Sequence, residues 1–134
     1  MTTEASSSST RPKSELRPFT MDEAKTIVDN ETYQIRDLNL YDTRGKIMFT
    51  MSITVLKIGK QTKGHSHADN SEVYEFTEGS GLMLIDSTAI AVKAGDYMFV
   101  ERGRFHKVIN ISQASDLIFR CYFAGEIRRP HLKF

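Results

Sequence analysis

Three of the four histidines in this 134-residue chain stand at fixed offsets from a glutamate and a set of glycines. Residues 59–79, GKQTKGHSHADNSEVYEFTEG, read G-x5-H-x-H-x4-E-x6-G and supply His65, His67 and Glu72. Residues 95–110, GDYMFVERGRFHKVIN, read G-x5-E-x-G-x2-H-x3-N and supply His106. Imidazole nitrogens beside one carboxylate suit a divalent first-row metal ion such as Fe, Mn, Zn or Ni, and leave coordination positions for water or substrate. A single interior histidine is more often a hydrogen-bonded core residue than a ligand. Three of them with a glutamate at repeated offsets favour one metal ion bound by His65, His67, Glu72 and His106. His131 stands in the basic stretch EIRRPHLKF and is left out of the site.

Bringing His106 to a pair some forty residues earlier requires a closed or nearly closed sheet. From Tyr33 onward the hydrophobic period is two. Ile47, Phe49, Met51, Ile53 and Val55 alternate with Met48, Thr50, Ser52 and Thr54, so one strand face is apolar and the other mixed. Short strands follow at 72–78, 82–86, 88–92, 97–100, 107–111 and 117–123, separated by turns carrying Gly, Ser and Asp. Many short strands with glycine punctuation predict an all-β fold, an antiparallel barrel or jelly roll.

Strand parity then sorts the side chains. Glu72, Tyr74 and Phe76 share one face and Val73 and Glu75 the other, so with Glu72 facing inward Tyr74 lines the same cavity. Glu72 is the only obvious interior carboxylate. Arg120 interrupts an apolar strand on the parity of Ile118 and Tyr122. It lies either on a wet outer face or in a polar cavity, where it would hold phosphate or carboxylate bidentately.

Ahead of the barrel, residues 1–15 are rich in Ser and Thr with little to bury, which predicts a disordered tail before a single domain at 16–134. Thr20 and Glu23 have capping-box spacing, and Ala24, Ile27 and Val28 recur at helical intervals, so one short helix is expected over 21–29. Lys and Arg number 18 against 17 Asp and Glu, with no basic stripe, which argues against nucleic acid as a partner. No apolar run is long enough to span a bilayer and no signal-peptide core is visible, so a soluble cytoplasmic protein without membrane contact is expected. Cys121 is the single cysteine and alternates with Leu117, Phe119 and Phe123, which predicts a small buried apolar side chain.

The paired blocks resemble the two motifs of the cupin superfamily, with Glu101 where that family usually has proline. The resemblance implies a double-stranded β-helix and the metal ligands named above, and homodimers are common in that fold. Within it, GHSHADNSEVYEFTEGSGLMLID is most similar to the archaeal-type phosphoglucose isomerases, over residues 62–122. Gly64, His65, His67, Glu72, Tyr74, Gly79, Gly81, Met83, Leu84, His106, Asn110 and Tyr122 follow that pattern in order. The likeness implies that Thr62, Gly64, Tyr74 and Tyr122 would touch a sugar phosphate and that Glu72, assisted by Tyr74, would move the proton of an aldose–ketose isomerisation. Arg120 joins the substrate-binding set if it faces inward. The alternatives are an Fe(II)-dependent dioxygenase and a non-catalytic cupin that binds a small sugar or acid.

Overall fold

The computed structural model describes residues 17–127. The expected disordered tail and His131 lie outside the described residues. Thr20 caps the first element: its hydroxyl accepts from the Asp22 amide at 3.3 Å, and its own amide donates to Glu23 Oε2 at 3.3 Å. The capping box therefore forms, but around a single 3-10 turn, Met21–Glu23. The helix expected over 21–29 does not continue. Thr26, Ile27 and Val28 are β-branched and stiff in a helix, and their backbone pairs with the next strand as β1, Lys25–Asp29. Side-chain spacing alone could not show that a strand partner was waiting.

The remaining strands are β2 Tyr33–Tyr41, β3 Ile47–Leu56, β4 Glu72–Glu78, β5 Ser80–Ile85, β6 Thr88–Lys93, β7 Tyr97–Val100, β8 His106–Ile109 and β9 Leu117–Ala124. All pairings are antiparallel. One sheet runs β1-β2-β3-β9-β4-β7 and the other β6-β5-β8. The core lies between them, built from residues such as Leu56, Phe76, Met83, Val108, Leu117 and Phe119. This is the expected antiparallel jelly roll.

Burial on β3 runs against simple polarity. Thr50, Ser52, Thr54 and Leu56 are the buried set, whereas Phe49 is 41% exposed. The mixed face of the strand thus turns into the barrel and the apolar face outward. An interior that accepts hydroxyl groups is one that lines a polar cavity rather than a sealed core.

Two motif residues, Asn110 from the second block and Gly79 from the first, keep the sheets in place. Asn110, 1% exposed, has Nδ2 within 3.0–3.2 Å of the carbonyls of Leu56, Lys57 and Ser115, and its Oδ1 accepts from the Ser112 amide at 3.0 Å. It ties the end of β8 to the end of β3. Gly79 sits at φ 84°, where a Cβ would also stand 2.5 Å from the Asp116 carbonyl oxygen, so glycine is required both for conformation and for space.

Candidate metal centre

The loop after β3 runs extended past β8. His65 and His106 exchange backbone hydrogen bonds at 3.1 and 2.9 Å, which fixes the two side chains next to each other. Glu72 opens β4, and the loop between His67 and β4 brings His67 across to it. One ligand atom from each of His65, His67, Glu72 and His106 lies within 4.8 Å of the others. The four residues expected from spacing therefore converge.

The imidazole tautomers follow from their neighbours. His106 Nδ1 is 2.9 Å from the Arg104 carbonyl oxygen, and His65 Nδ1 is 3.2 Å from that of Lys63. A carbonyl only accepts, so each Nδ1 donates and each Nε2 presents a lone pair when the ring is neutral. Glu72 Oε2 is 3.1 Å from His106 Nε2 and 3.3 Å from His67 Nε2. Glu72 Oε2 and His106 Nε2 are both fully buried without a formed hydrogen bond. Lone pairs facing one another at this depth call for a proton or a cation between them, and the donor set fits a divalent metal. Protons are the alternative occupants. With protons on those rings, burial still pushes the Glu72 carboxyl up, but hydrogen bonding to His106 and His67 and their charges outweigh it and hold it at about 2.

A turn at 101–104 steadies two of these side chains from behind. The Gly103 amide donates to the His67 carbonyl at 2.7 Å, while the Arg104 carbonyl receives His106 Nδ1. Asp86 braces the same turn. Its Oδ1 accepts from the Phe105 amide at 3.2 Å, its Oδ2 is 3.1 Å from Arg104 Nη1, and its own amide donates to the Phe105 carbonyl at 2.8 Å. Glu101, standing where proline was expected, still closes the turn by accepting from the Arg104 amide at 3.2 Å. Asp86 was not legible as a site residue, because nothing in its local sequence shows which loop it meets.

The centre opens into a cavity of about 50 Å³, room for only a few waters. Tyr33, Ser52, Thr54, Thr62, Tyr74, Cys121, Phe119 and Phe123 line it, with Lys63 as the sole Lys or Arg among its described lining residues. Tyr74 is 4% exposed, its ring 5.8 Å from that of His106, as parity required. Cys121 is buried, as its strand pattern predicted. Thr62 lines the cavity and is pinned to β8, its amide and hydroxyl both bonded to Val108 backbone atoms. Gly64 serves the loop: a Cβ there would fall 2.0 Å from the Phe105 ring.

Arg120 and Tyr122 are not in the cavity. On β9 the inward positions belong to Leu117, Phe119, Cys121 and Phe123, so the intervening residues face away. Outside, the Tyr122 hydroxyl donates to one oxygen of Glu75 and the Tyr97 hydroxyl to the other at 3.0 Å, with Arg120 opposite Glu75 across the strands. Burial, and then donation to Glu75, pushes the Tyr122 hydroxyl up to about 12, while Arg120 pulls the other way. Arg120 thus takes the outer-face alternative, and Tyr122 does not line the cavity as the resemblance implied. Glu72 is also not the sole interior carboxylate. Asp37 on β2, 7% exposed, shares the inward parity of Tyr33 and Ile35.

A family profile described as Cupin domain matches residues 52–122, more than half of the chain. The chain belongs to the cupin family. An uncharacterised protein of Methanocaldococcus jannaschii, MJ1618, is 26% identical over 76% of this cupin and 82% of its own length. A Pyrococcus furiosus protein named glucose-6-phosphate isomerase is 27% identical over 89% of this chain and 71% of its own. Among solved structures, an RmlC-like cupin from Shewanella frigidimarina superposes with a TM-score of 0.66 over 90% of this chain and 98% of that one, at 17% identity, a likeness of fold alone. No helix among the described residues is long and apolar enough to cross a membrane.

Proposed function

We propose that this cupin holds one divalent metal ion through His65, His67, Glu72 and His106 and interconverts a small aldose and ketose, with sugar phosphates the first substrates to test. The observation that carries the reading is the convergence of unpaired, buried lone pairs from Glu72 and His106 at the head of a cavity lined by hydroxyl groups. Likeness to the P. furiosus isomerase supports the same chemistry. When bound, a divalent ion supplies Lewis acidity that polarises a carbonyl and its neighbouring hydroxyl.

The chain's own groups then divide the work. Glu72 Oε2 is the oxygen turned toward the imidazoles, while among the described residues no hydrogen bond engages Oε1. Oε1 is therefore the atom proposed to carry a proton between adjacent carbons. Tyr74 orients the substrate or returns a proton from the cavity wall. The small cavity admits only the reacting end of a sugar, so a phosphate stays at the mouth, where Lys63 provides the cation.

The test is interconversion of glucose 6-phosphate and fructose 6-phosphate, followed by NMR on protein of measured metal content. Turnover by the natural protein, reduced on the order of 100-fold in metal-replete Glu72→Gln, is the expected result. Absence of turnover together with substrate-dependent oxygen uptake by iron-loaded protein would replace the isomerase with an oxygenase.

A further inference from the structure

A second cavity borders the 101–104 turn. It holds about 320 Å³ and is lined by Ile85, Thr88, Ile90, Phe99, Glu101 and Arg104, a volume in the range of small-molecule sites. β6 and β7 are end strands of their sheets, and the cavity lies between Thr88 and Ile90 of the one and Phe99 of the other. Ile85 and Ile90 pack against the core and give the cavity an apolar floor. The Phe99 ring, by contrast, is 62% exposed. The same residues adjoin the histidine–glutamate cluster. Ile85 is the cross-strand neighbour of His106, and the Arg104 carbonyl receives His106 Nδ1.

Two carboxylates and one guanidinium meet at its polar rim. Arg104 Nη1 is 3.1 Å from Asp86 Oδ2, whereas its Nη2 is 3.7 Å from Glu101 Oε1, too far for a hydrogen bond. Among the described residues no hydrogen bond reaches the Glu101 carboxylate. Asp86 and Glu101 against Arg104 leave one negative charge at the rim. We infer that this cavity binds a small amphiphilic ammonium ion, with its primary ammonium on Glu101 and its apolar or aromatic body against Phe99, Ile85 and Ile90. The face of an aromatic ring attracts a cation, and a carboxylate accepts from the three donors of an ammonium. The same charge turns away a carboxylate or phosphate. Glu101, standing where the cupin motif usually has proline, is thus the specificity residue of the site. Occupancy also bears on the cluster. The Glu101 carbonyl accepts from the Arg104 amide, and the Gly103 amide donates to the His67 carbonyl. An ammonium that holds Glu101 in place restrains the turn behind His67 and His106, so amine and metal each strengthen binding of the other by the same factor. This coupling rests on the reading that the cluster holds a metal, whereas the amine site stands without it.

Three probes that share a phenylethyl body separate the contributions: 2-phenylethylammonium, 2-phenylethanol and 3-phenylpropanoate, titrated at pH 7.5 into metal-free full-length protein and followed by amide NMR shifts. The ammonium should bind about tenfold tighter than the alcohol, from a cation–π contact added to an exposed ion pair, and the carboxylate should bind weakest. Glu101→Gln should remove most of the preference for the ammonium while leaving the alcohol unchanged. Phe99→Ala should weaken both. Each of the two positions is exposed, so both variants should fold. Equal affinity for ammonium and alcohol in the natural protein, a preference that survives Glu101→Gln, or binding of none of the probes overturns the site. In saturating ammonium, zinc affinity measured by chelator competition should rise about fivefold, and Glu101→Gln should abolish the rise. Zinc affinity that does not change overturns the coupling alone. Protein that binds no zinc at all refutes the metal reading, and the metal-free titrations then still decide the amine site.

Discussion

His106 Nε2 lies 3.1 Å from Glu72 Oε2 although both atoms are acceptors when the imidazole is neutral. The Arg104 carbonyl occupies the other ring nitrogen and so denies His106 the tautomer that would donate to Glu72. The pair is completed only by a cation or by a second proton on the ring.

Metal and protons should therefore compete. Zinc affinity, measured by calorimetry in two buffers of different ionisation enthalpy, should weaken sharply below about pH 6, where free imidazoles take up a proton. Binding should release protons over the same range. Equal affinity at pH 5 and 7.5 would contradict a histidine-dominated site.

Asp86 should control metal affinity from outside the cluster. Asp86→Ala removes the brace on Arg104 and Phe105, and zinc affinity measured by chelator competition should fall about tenfold. Asp86→Asn keeps an acceptor for the Phe105 amide and should recover part of the loss. A change in melting temperature with unchanged zinc affinity would make the brace merely structural.

Asn110→Ala should cost about 2–3 kcal/mol in urea unfolding, because buried carbonyls of Leu56, Lys57 and Ser115 lose a shared donor. Zinc stoichiometry in the folded fraction should remain one. A cost below about 0.5 kcal/mol, the range of ordinary surface changes, would refute the clamp.

The outer cluster should respond to acid. Donation from Tyr122 holds the Glu75 carboxyl below its usual value of 4.5 against the opposing effect of burial, with Tyr97 and Arg120 adding to the lowering. A depressed carboxylate stabilises the fold above 4.5 and loses that contribution as the pH falls below it. Tyr122→Phe should cost about 1 kcal/mol at pH 7, allowing for partial exposure, and much less at pH 3. A difference from the natural protein that is the same at both pH values would mean that the hydroxyl does not act through Glu75.

Motif spacing picked out His65, His67, Glu72 and His106, the four residues that the fold brings together, because G-x5-H-x-H-x4-E and the later E-x-G-x2-H reflect loop and strand lengths in a closed barrel. Period two determined the strands from Tyr33 on and put Glu72 and Tyr74 on one face, since alternation is a property of the extended backbone itself. Whatever depended on a partner strand was decided by the tertiary structure. A β-branched stretch at 25–29 became an edge strand because β2 offered it hydrogen bonds. Thr50, Ser52 and Thr54 turned inward and Met51 and Ile53 outward, since register with β9 fixes which face meets the cavity. Arg120 and Tyr122 went to the outer face by the same rule, while Asp86 reached the turn behind His67 and His106 across contacts distant in the chain. Side-chain chemistry and spacing are local and can be read from sequence, whereas the choice of face and of cross-strand neighbour exists only once the sheets have paired.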